Sequence, residues 1–435
     1  MALSGRAALL AALGAVVVWL VPGWSGIALV TVPLVLLVLL DLALAAPVRS
    51  LLLERSGATT VRQGDEARVD LTVTNPSGRP LRAEVRDAWP PSSWAPGTSY
   101  DGSRQSLSVP AGERRRLTTV LTPTRRGERH AEVVAVRSHG PLGFAARQGR
   151  HRVPWSVRVL PPFASRKHLP GKLARLRELD GRTSVLIRGE GTEFDSLRPY
   201  VPGDDVRSID WRATARRSEV TSRTWRPERD RHLLLVLDTG RTSAGRVGDV
   251  PRLDASMDAA LLLTALASRA GDRVDLLAHD RATRVSVRGH SGRDVLPAVT
   301  RALTPLEPRL VETDPQSLVA AALAAAPRRS LVVLFTALDG GVLEEGLLPV
   351  LPRLIRRHNV VVASVADPGV EEMAAGRGTV AAVYGAAAAE RHAGERRRAA
   401  ERLRRLGATV VDASPDRLPP AVADAYLSLK AAGKL

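Results

Sequence analysis

The chain has 435 residues, a formal net charge of +18 and no cysteine. That length carries two or three domains with cores of their own, and the missing thiols exclude disulfides, cysteine nucleophiles and cysteine metal sites. The basic charge is almost wholly arginine, since only Lys167, Lys172, Lys430 and Lys434 are lysines, and aromatics make up 3% of the chain. Scattered arginines with so few stacking rings are not the footprint of a nucleic-acid interface, so no nucleic-acid partner is expected.

Residues 7–46 are almost free of charge and split at "PGWSG" (22–26) into two apolar runs, 7–21 and 27–46. A bilayer core of about 30 Å takes roughly 20 helical residues. The second run has that length. The first is shorter and relies on its flanks, with Trp24 as an interfacial anchor. Asp41, the only formal charge in the second run, reads as a carboxylate close to the interface rather than a functional intramembrane acid. The pattern predicts a transmembrane helical hairpin over residues 1–50. The rival is a secretory signal peptide, with Arg6 in its n-region and "ALAA" (43–46) as cleavage site, for which the paired runs are too long. The connecting loop has no Lys or Arg, whereas Arg6, Arg49 and Arg55 flank the outer ends. The positive-inside rule then puts both ends of a two-pass anchor, and everything after about residue 50, in the cytoplasm; abundant Ala, Val, Arg and Gly with few Lys, Phe and Tyr suggest a GC-rich bacterial genome, and so a bacterial inner membrane.

Residues 51–163 read as strands. "ARVDLTVTN" (67–75) alternates apolar and polar residues and meets the turn cluster "PSGRP"; "AEVRDAW", "QSLSVP", "RRLTTVLTP", "HAEVVAVRSHG" and "WSVRVLP" follow with turns between them. This spacing predicts an all-β, immunoglobulin-like sandwich. His130, His139 and His151 are not at metal-ligand spacing and read as surface or packing residues.

Residues 164–230 hold a linking helix and a charged stretch, "EFDSLRPYVPGDDVRSIDW" (193–211). From 231 to 435 strands and helices alternate: strands at 232–238, 272–280, 283–289, 330–338, 359–366 and 409–414, helices at 253–271, 291–303, 314–326, 344–357, 381–406 and 418–433. This predicts a doubly wound, mostly parallel α/β sheet, in which ligands sit outside the carboxyl ends of the strands. "LDTGRTSAG" (237–245) and "FTALDGG" (335–341) end two such strands and bring Asp238 and Asp339 toward one crevice. No phosphate-binding loop is present in the pattern.

The stretch Tyr200, Gly203, Asp204, Asp205, Arg207, Ile209, Trp211, Ala215 and Arg216 resembles the signature of the bacterial domain of unknown function 58 family, whose members carry a von Willebrand factor A-like domain. "SHGPLGF" (138–144) is similar to that family's turn, with Gly140 where an Asp is usual. The resemblance implies a membrane-anchored partner of a MoxR-type AAA+ ATPase, acting as an adaptor in protein remodelling. It also implies a Mg²⁺ site of the Asp-x-Ser-x-Ser type, carried by Asp238, Thr242, Thr313 and Asp339. Gly240 replaces the first Ser, which makes the set degenerate; a water could fill the gap, or the Arg241 guanidinium could stand in for the ion.

The acids of 193–211 stand among Arg198, Arg207, Arg212, Arg216 and Arg217, without a positioned His, Ser or Cys. The simplest reading is a turn locked by arginine–carboxylate bonds, with Asp204, Asp205 and Asp210 as structural or docking residues and Trp211 packed on the sheet domain. The expected function is a non-enzymatic adaptor or scaffold binding protein clients. The alternative is a metal-dependent hydrolase using the 193–211 acids or the Asp238/Asp339 crevice. The basic helix at 381–406 reads as a solvated face.

Overall fold

The computed structural model describes residues 2–95, 103–186, 193–202, 204–217, 219–226, 231–290, 292–339 and 343–434. They form two compact units, Met1–Leu160 and Pro161–Leu435.

The first unit opens with a short strand, β1 (Ala2–Leu3), then two apolar helices, α1 (Gly5–Leu20) and α2 (Trp24–Leu44). The helices pack together at Gly14, whose missing Cβ leaves room for Val30. α2 belongs to an apolar stretch, Trp24–Ser50, long enough to cross a membrane. α1 has 16 residues, about 24 Å of helix at 1.5 Å per residue.

Strands β2 (Leu52–Gly57), β3 (Thr60–Arg62), β4 (Ala67–Thr74), β5 (Leu81–Asp87), β6 (Arg104–Val109), β7 (Arg114–Leu121), β8 (Gly127–His139) and β9 (Ala145–Leu160) follow. They make a three-stranded sheet, β2-β4-β7, and a larger one, β1-β9-β8-β5-β6 with β3 on β9. Strict alternation in β4 and β5 turns Leu71, Val73, Leu81 and Val85 inward, where they meet Val134 and Val136 of β8. The result is a two-sheet β-sandwich, as the alternation predicts. A buried ion pair runs through it: Arg55 of β2 pairs with Asp87, and the Trp89 indole N–H donates to the same carboxylate at 2.9 Å.

One feature of this unit was not legible from local pattern. Asp41 is fully buried, and its carboxylate accepts the backbone N–H groups of Leu142 (2.8 Å), Phe144 (2.7 Å) and Ala145 (2.8 Å) in the β8–β9 turn. A Cβ on Gly140 would overlap that carboxylate. β1 reinforces the joint by pairing antiparallel to β9, Ala2 opposite Ala146 and Leu3 opposite Ala145.

The second unit begins with α3 (Leu169–Leu186), β10 (Glu193–Pro199), α4 (Trp211–Arg217) and β11 (Thr221–Arg226). Its sheet contains β12 (His232–Asp238), then, beyond the four-residue α5 (Arg241–Ala244), the small hairpin β13 (Arg246–Val247) and β14 (Val250–Pro251), and α6 (Arg252–Arg269), the strands β15 (Arg273–His279) and β16 (Thr283–Val287). α7 (Val295–Leu303), α8 (Pro315–Ala325), β17 (Leu331–Phe335), α9 (Leu348–Ile355), β18 (Asn359–Val365), α10 (Pro368–Ala374), α11 (Val380–Arg405), β19 (Thr409–Ala413) and α12 (Leu418–Ala431) complete it. The strand order is β16-β15-β12-β17-β18-β19, parallel except for β16. β12 is apolar on both faces because both are covered: Leu233, Leu235 and Leu237 enter one core with α6, α7 and α12, while Leu234 and Val236 enter another with α8, α9 and α11. α10, capped by Asp367, and the short α4 and α5 are helices that the sequence reading lacked.

Candidate functional site

Two groups of polar residues stand out in the second unit. The first is the charged stretch between β10 and β11. These strands pair antiparallel, with Arg198 opposite Ser222 and Pro199 opposite Thr221. The excursion between them is held mainly by its own acids. Asp204 accepts from Arg198 at 2.6 Å and from the Val201 N–H at 3.1 Å. Asp205 caps a single tight turn by accepting the Arg207 N–H at 2.9 Å. Asp210 caps α4, accepting the N–H groups of Arg212 and Ala213 at 3.0 Å each, and its other oxygen binds Arg223 at 2.8 Å. Tyr200 joins the edge through its own N–H to the Val220 carbonyl at 2.7 Å, and its hydroxyl reaches the Asp204 carbonyl at 3.4 Å.

These bonds fix the protonation of the acids. The Val201 N–H and Arg198 hold the Asp204 pKa below the usual carboxylate value. The Ala213 N–H and Arg223 do the same for Asp210. Both carboxylates are therefore held ionised, whereas a general acid needs a raised pKa. The partner of Asp210 is Arg223 of β11, which the sequence reading had not named. Among the described residues, Arg207, Arg212 and Arg216 pair with no carboxylate. Trp211 does not pack on the sheet: it is 67% exposed. It stands at the first position of α4, whose inner side is taken by Ala213 and by Thr214, with the Thr214 hydroxyl bound to the Asp210 carbonyl. Gly203 lies outside the described residues, as do the side chains of Glu193 and Asp195.

The second group lies at the carboxyl ends of β12, β15 and β17. Asp238 ends β12 and is buried. Its Oδ1 accepts the Thr313 hydroxyl and the Gly240 N–H (2.9 Å), and its Oδ2 accepts the Thr336 hydroxyl at 2.8 Å. Burial raises its pKa, opposed by the three bonds and assisted by the nearby charge of Asp280. Burial works in the same direction on Asp280, but bonds from Arg284 and from the N–H groups of Arg281 and Ala282 outweigh it, so its pKa is lowered. Thr336 was missed by the sequence reading; it sits just past the end of β17, three residues before Asp339.

Asp339 is engaged elsewhere. Arg252 of α6 reaches its Oδ2 at 3.1 Å and Arg396 of α11 its Oδ1 at 3.4 Å. Arg396 also binds Asp412 of β19 and donates to the Ser364 hydroxyl at 2.9 Å. Arg241 pairs with Glu312 rather than with Asp238. No hydrogen bond joins Thr242 to Asp238 among the described residues.

As placed, these residues do not fit a divalent ion. A hard cation asks for several free oxygens around one point. Here both Asp238 oxygens are already used by donors, and Asp339 is neutralised by two guanidinium groups. Gly240 has no room to be the expected serine, because a Cβ there would overlap the Thr313 hydroxyl and come within 2.9 Å of the Val311 carbonyl oxygen. Among the described residues no three His, Asp or Glu side chains gather around a common point. The guanidinium groups that meet Asp339 come from Arg252 and Arg396, and among the described residues Arg241 meets neither acid.

The family described as "Protein of unknown function DUF58" matches residues 196–407, which begin in β10 and run through α11. This segment is a DUF58 match. The uncharacterized protein Rv1480 of Mycobacterium tuberculosis is 29% identical to this chain over 192 residues, 44% of this chain and 60% of that protein. The uncharacterized protein YeaD of Bacillus subtilis is 26% identical over 132 residues, 30% of this chain and 32% of its own. Among solved structures, the CARDB domain of the PF1109 protein from Pyrococcus furiosus is 20% identical, covers 25% of this chain and 92% of that domain, and has a TM-score of 0.19. Proximal thread matrix protein 1 from the mussel byssus is 12% identical, covers 47% of each chain and scores 0.29.

Proposed function

We propose that the chain is a membrane-anchored, non-catalytic adaptor that docks a protein partner through the DUF58 segment at 200–220. One observation carries this reading. The acids of that segment are spent on its own turns and cap, while Val201, Val206 and Trp211 are exposed at 53%, 62% and 67%. A tryptophan and two valines exposed on one short segment, beside Arg207, Arg212 and Arg216, which pair with no carboxylate among the described residues, have the composition of a protein-contact centre. The strand order of the second unit is compatible with the von Willebrand factor A-like domain that the family resemblance implies, here with Asp339 paired to Arg252 and Arg396. The same resemblance names the partner class, a MoxR-type AAA+ ATPase.

The anchor is a two-pass hairpin with both ends in the cytoplasm. β1 precedes α1 and pairs with β9 of the sandwich, which follows α2. Chain that enters and leaves the two helices is thereby tied to one side of them. Arg6 and Arg49 flank that side, and the 22–26 turn carries no charge.

The test is binding of the purified full chain, in detergent, to the purified ATPase, measured by biolayer interferometry with Mg²⁺ and with EDTA. The expected result is equal affinity in both buffers and at least a roughly tenfold loss for Trp211→Ala, the size of a modest hot spot. Absence of binding would remove the partner. Binding that needs Mg²⁺ and ignores Trp211→Ala would move the contact to the Asp238 crevice.

A further inference from the structure

Arginines from distant parts of the first unit meet the foot of α2 and the β8–β9 turn clamped to it. Arg147 of β9 donates its Nε to the Leu42 carbonyl at 2.9 Å. Arg79, between β4 and β5, donates to the Ala43 carbonyl. Arg6, at the start of α1, reaches the Leu142 carbonyl at 3.5 Å. Leu42 and Ala43 belong to the last turn of α2, where carbonyls lack an intrahelical partner and the helix dipole favours cations. Arg147 and Arg79 are thus held by the helix end itself, and Arg6 by the turn that Asp41 clamps to it.

Holding them this way leaves donors over. A guanidinium carries more N–H groups than one carbonyl can use. Arg147 keeps both terminal nitrogens free of partners among the described residues, in the fork that suits a phosphate. Arg6 and Arg79 are exposed. Beside them stand exposed apolar side chains: Leu3 on β1, Leu44 at the end of α2 and Leu142 at the tip of the β8–β9 turn. The Asp41 carboxylate clamps that turn to α2, so Leu142 and the arginines are fixed at the level where the apolar helix ends.

We infer that Arg6, Arg79 and Arg147 form a seat for the phosphate of an anionic phospholipid at the cytoplasmic face, with Leu3, Leu44 and Leu142 reaching into the acyl boundary. The inference rests on the two-pass reading above. The seat combines charge with an adjacent apolar rim, which a lipid satisfies and a free phosphate does not.

The experiment uses the full chain in a neutral detergent, with added phosphatidylglycerol, phosphatidylcholine or inorganic phosphate, and reads the melting temperature. Phosphatidylglycerol is expected to raise it by about 5 °C over phosphatidylcholine, as a ligand that binds only the folded state does. Inorganic phosphate should not reproduce the shift, and R6Q/R79Q/R147Q should lose most of it. Should that variant fail to fold, native mass spectrometry of the wild type must still show phosphatidylglycerol retained over phosphatidylcholine. Equal shifts from the two lipids, or an equal shift from inorganic phosphate, would overturn the seat. Extraction of the chain from membranes by alkaline carbonate would instead remove the two-pass reading on which it rests.

Discussion

Replacing Asp41 should uncouple the sandwich from the helix that leads into it. The carboxylate receives three backbone N–H groups from one turn, all between 2.7 and 2.8 Å. Asp41→Ala removes a charged acceptor from each. Bonds to a charged acceptor are worth about 1.5–3 kcal/mol apiece, but three in one cluster do not add fully. Entry of water recovers part of the loss, which leaves a cost of about 3–6 kcal/mol. Asp41→Asn keeps the shape. Its oxygen can serve Phe144 and Ala145, but its NH₂ then faces the Leu142 N–H, for a smaller cost of about 1–3 kcal/mol. Gly140→Ala attacks the same joint sterically, since the new methyl would overlap the carboxylate. Hydrogen exchange of the full chain in detergent reads the effect directly. Protection at Leu142, Phe144 and Ala145 should fall by roughly a hundredfold in Asp41→Ala, the equivalent of about 3 kcal/mol. Unchanged protection there would refute the clamp.

The crevice gives two further outcomes. Burial raises the Asp238 pKa, so its contribution to stability is complete below the ordinary value of about 3.9 and is lost as pH rises through the raised one. Asp238→Asn can still accept from Thr313 and Gly240 and can donate to Thr336; denaturant unfolding should show it level with wild type in acid and gaining on it toward neutral pH, and a variant that falls behind as pH rises would contradict this. Gly240→Ser, which restores the serine of the metal pattern, should cost about 1–3 kcal/mol by overpacking, and thermal melts should show no Mg²⁺-dependent recovery; a Mg²⁺-dependent rise would show that an ion fits. In the sandwich, Asp87→Ala leaves Arg55 buried without its counter-charge and should cost about 3–5 kcal/mol, while Arg55→Leu/Asp87→Leu should cost less; chemical denaturation that ranks them in reverse would refute the pairing.

The strands of the α/β sheet were legible because each is a continuous apolar run, and such runs need cover on both faces: the boundaries of β12 agree with the sequence reading residue for residue, and those of β18 to within one. The sandwich strands were legible through alternation. What escaped was everything set by contacts distant in sequence. Asp41 looked like an interfacial acid, because its partners lie about a hundred residues away in a turn that names none of them. Arg252 and Arg396 reach Asp339 from two helices, whereas Arg241, which the sequence offered beside a water as a possible partner for Asp238, pairs with Glu312. Trp211 was expected to pack on the sheet domain, yet it stands exposed at the first position of a seven-residue helix capped by Asp210.

The most direct test places a photo-crosslinking amino acid at position 211 or 206 of the full chain in its native membrane, with the exposed Val120 of the sandwich as control. The account predicts one dominant adduct with a MoxR-type AAA+ ATPase from 211 and 206 and none from 120. Adducts equally abundant from all three positions, or none from 211 and 206, would contradict a partner docked on the DUF58 segment.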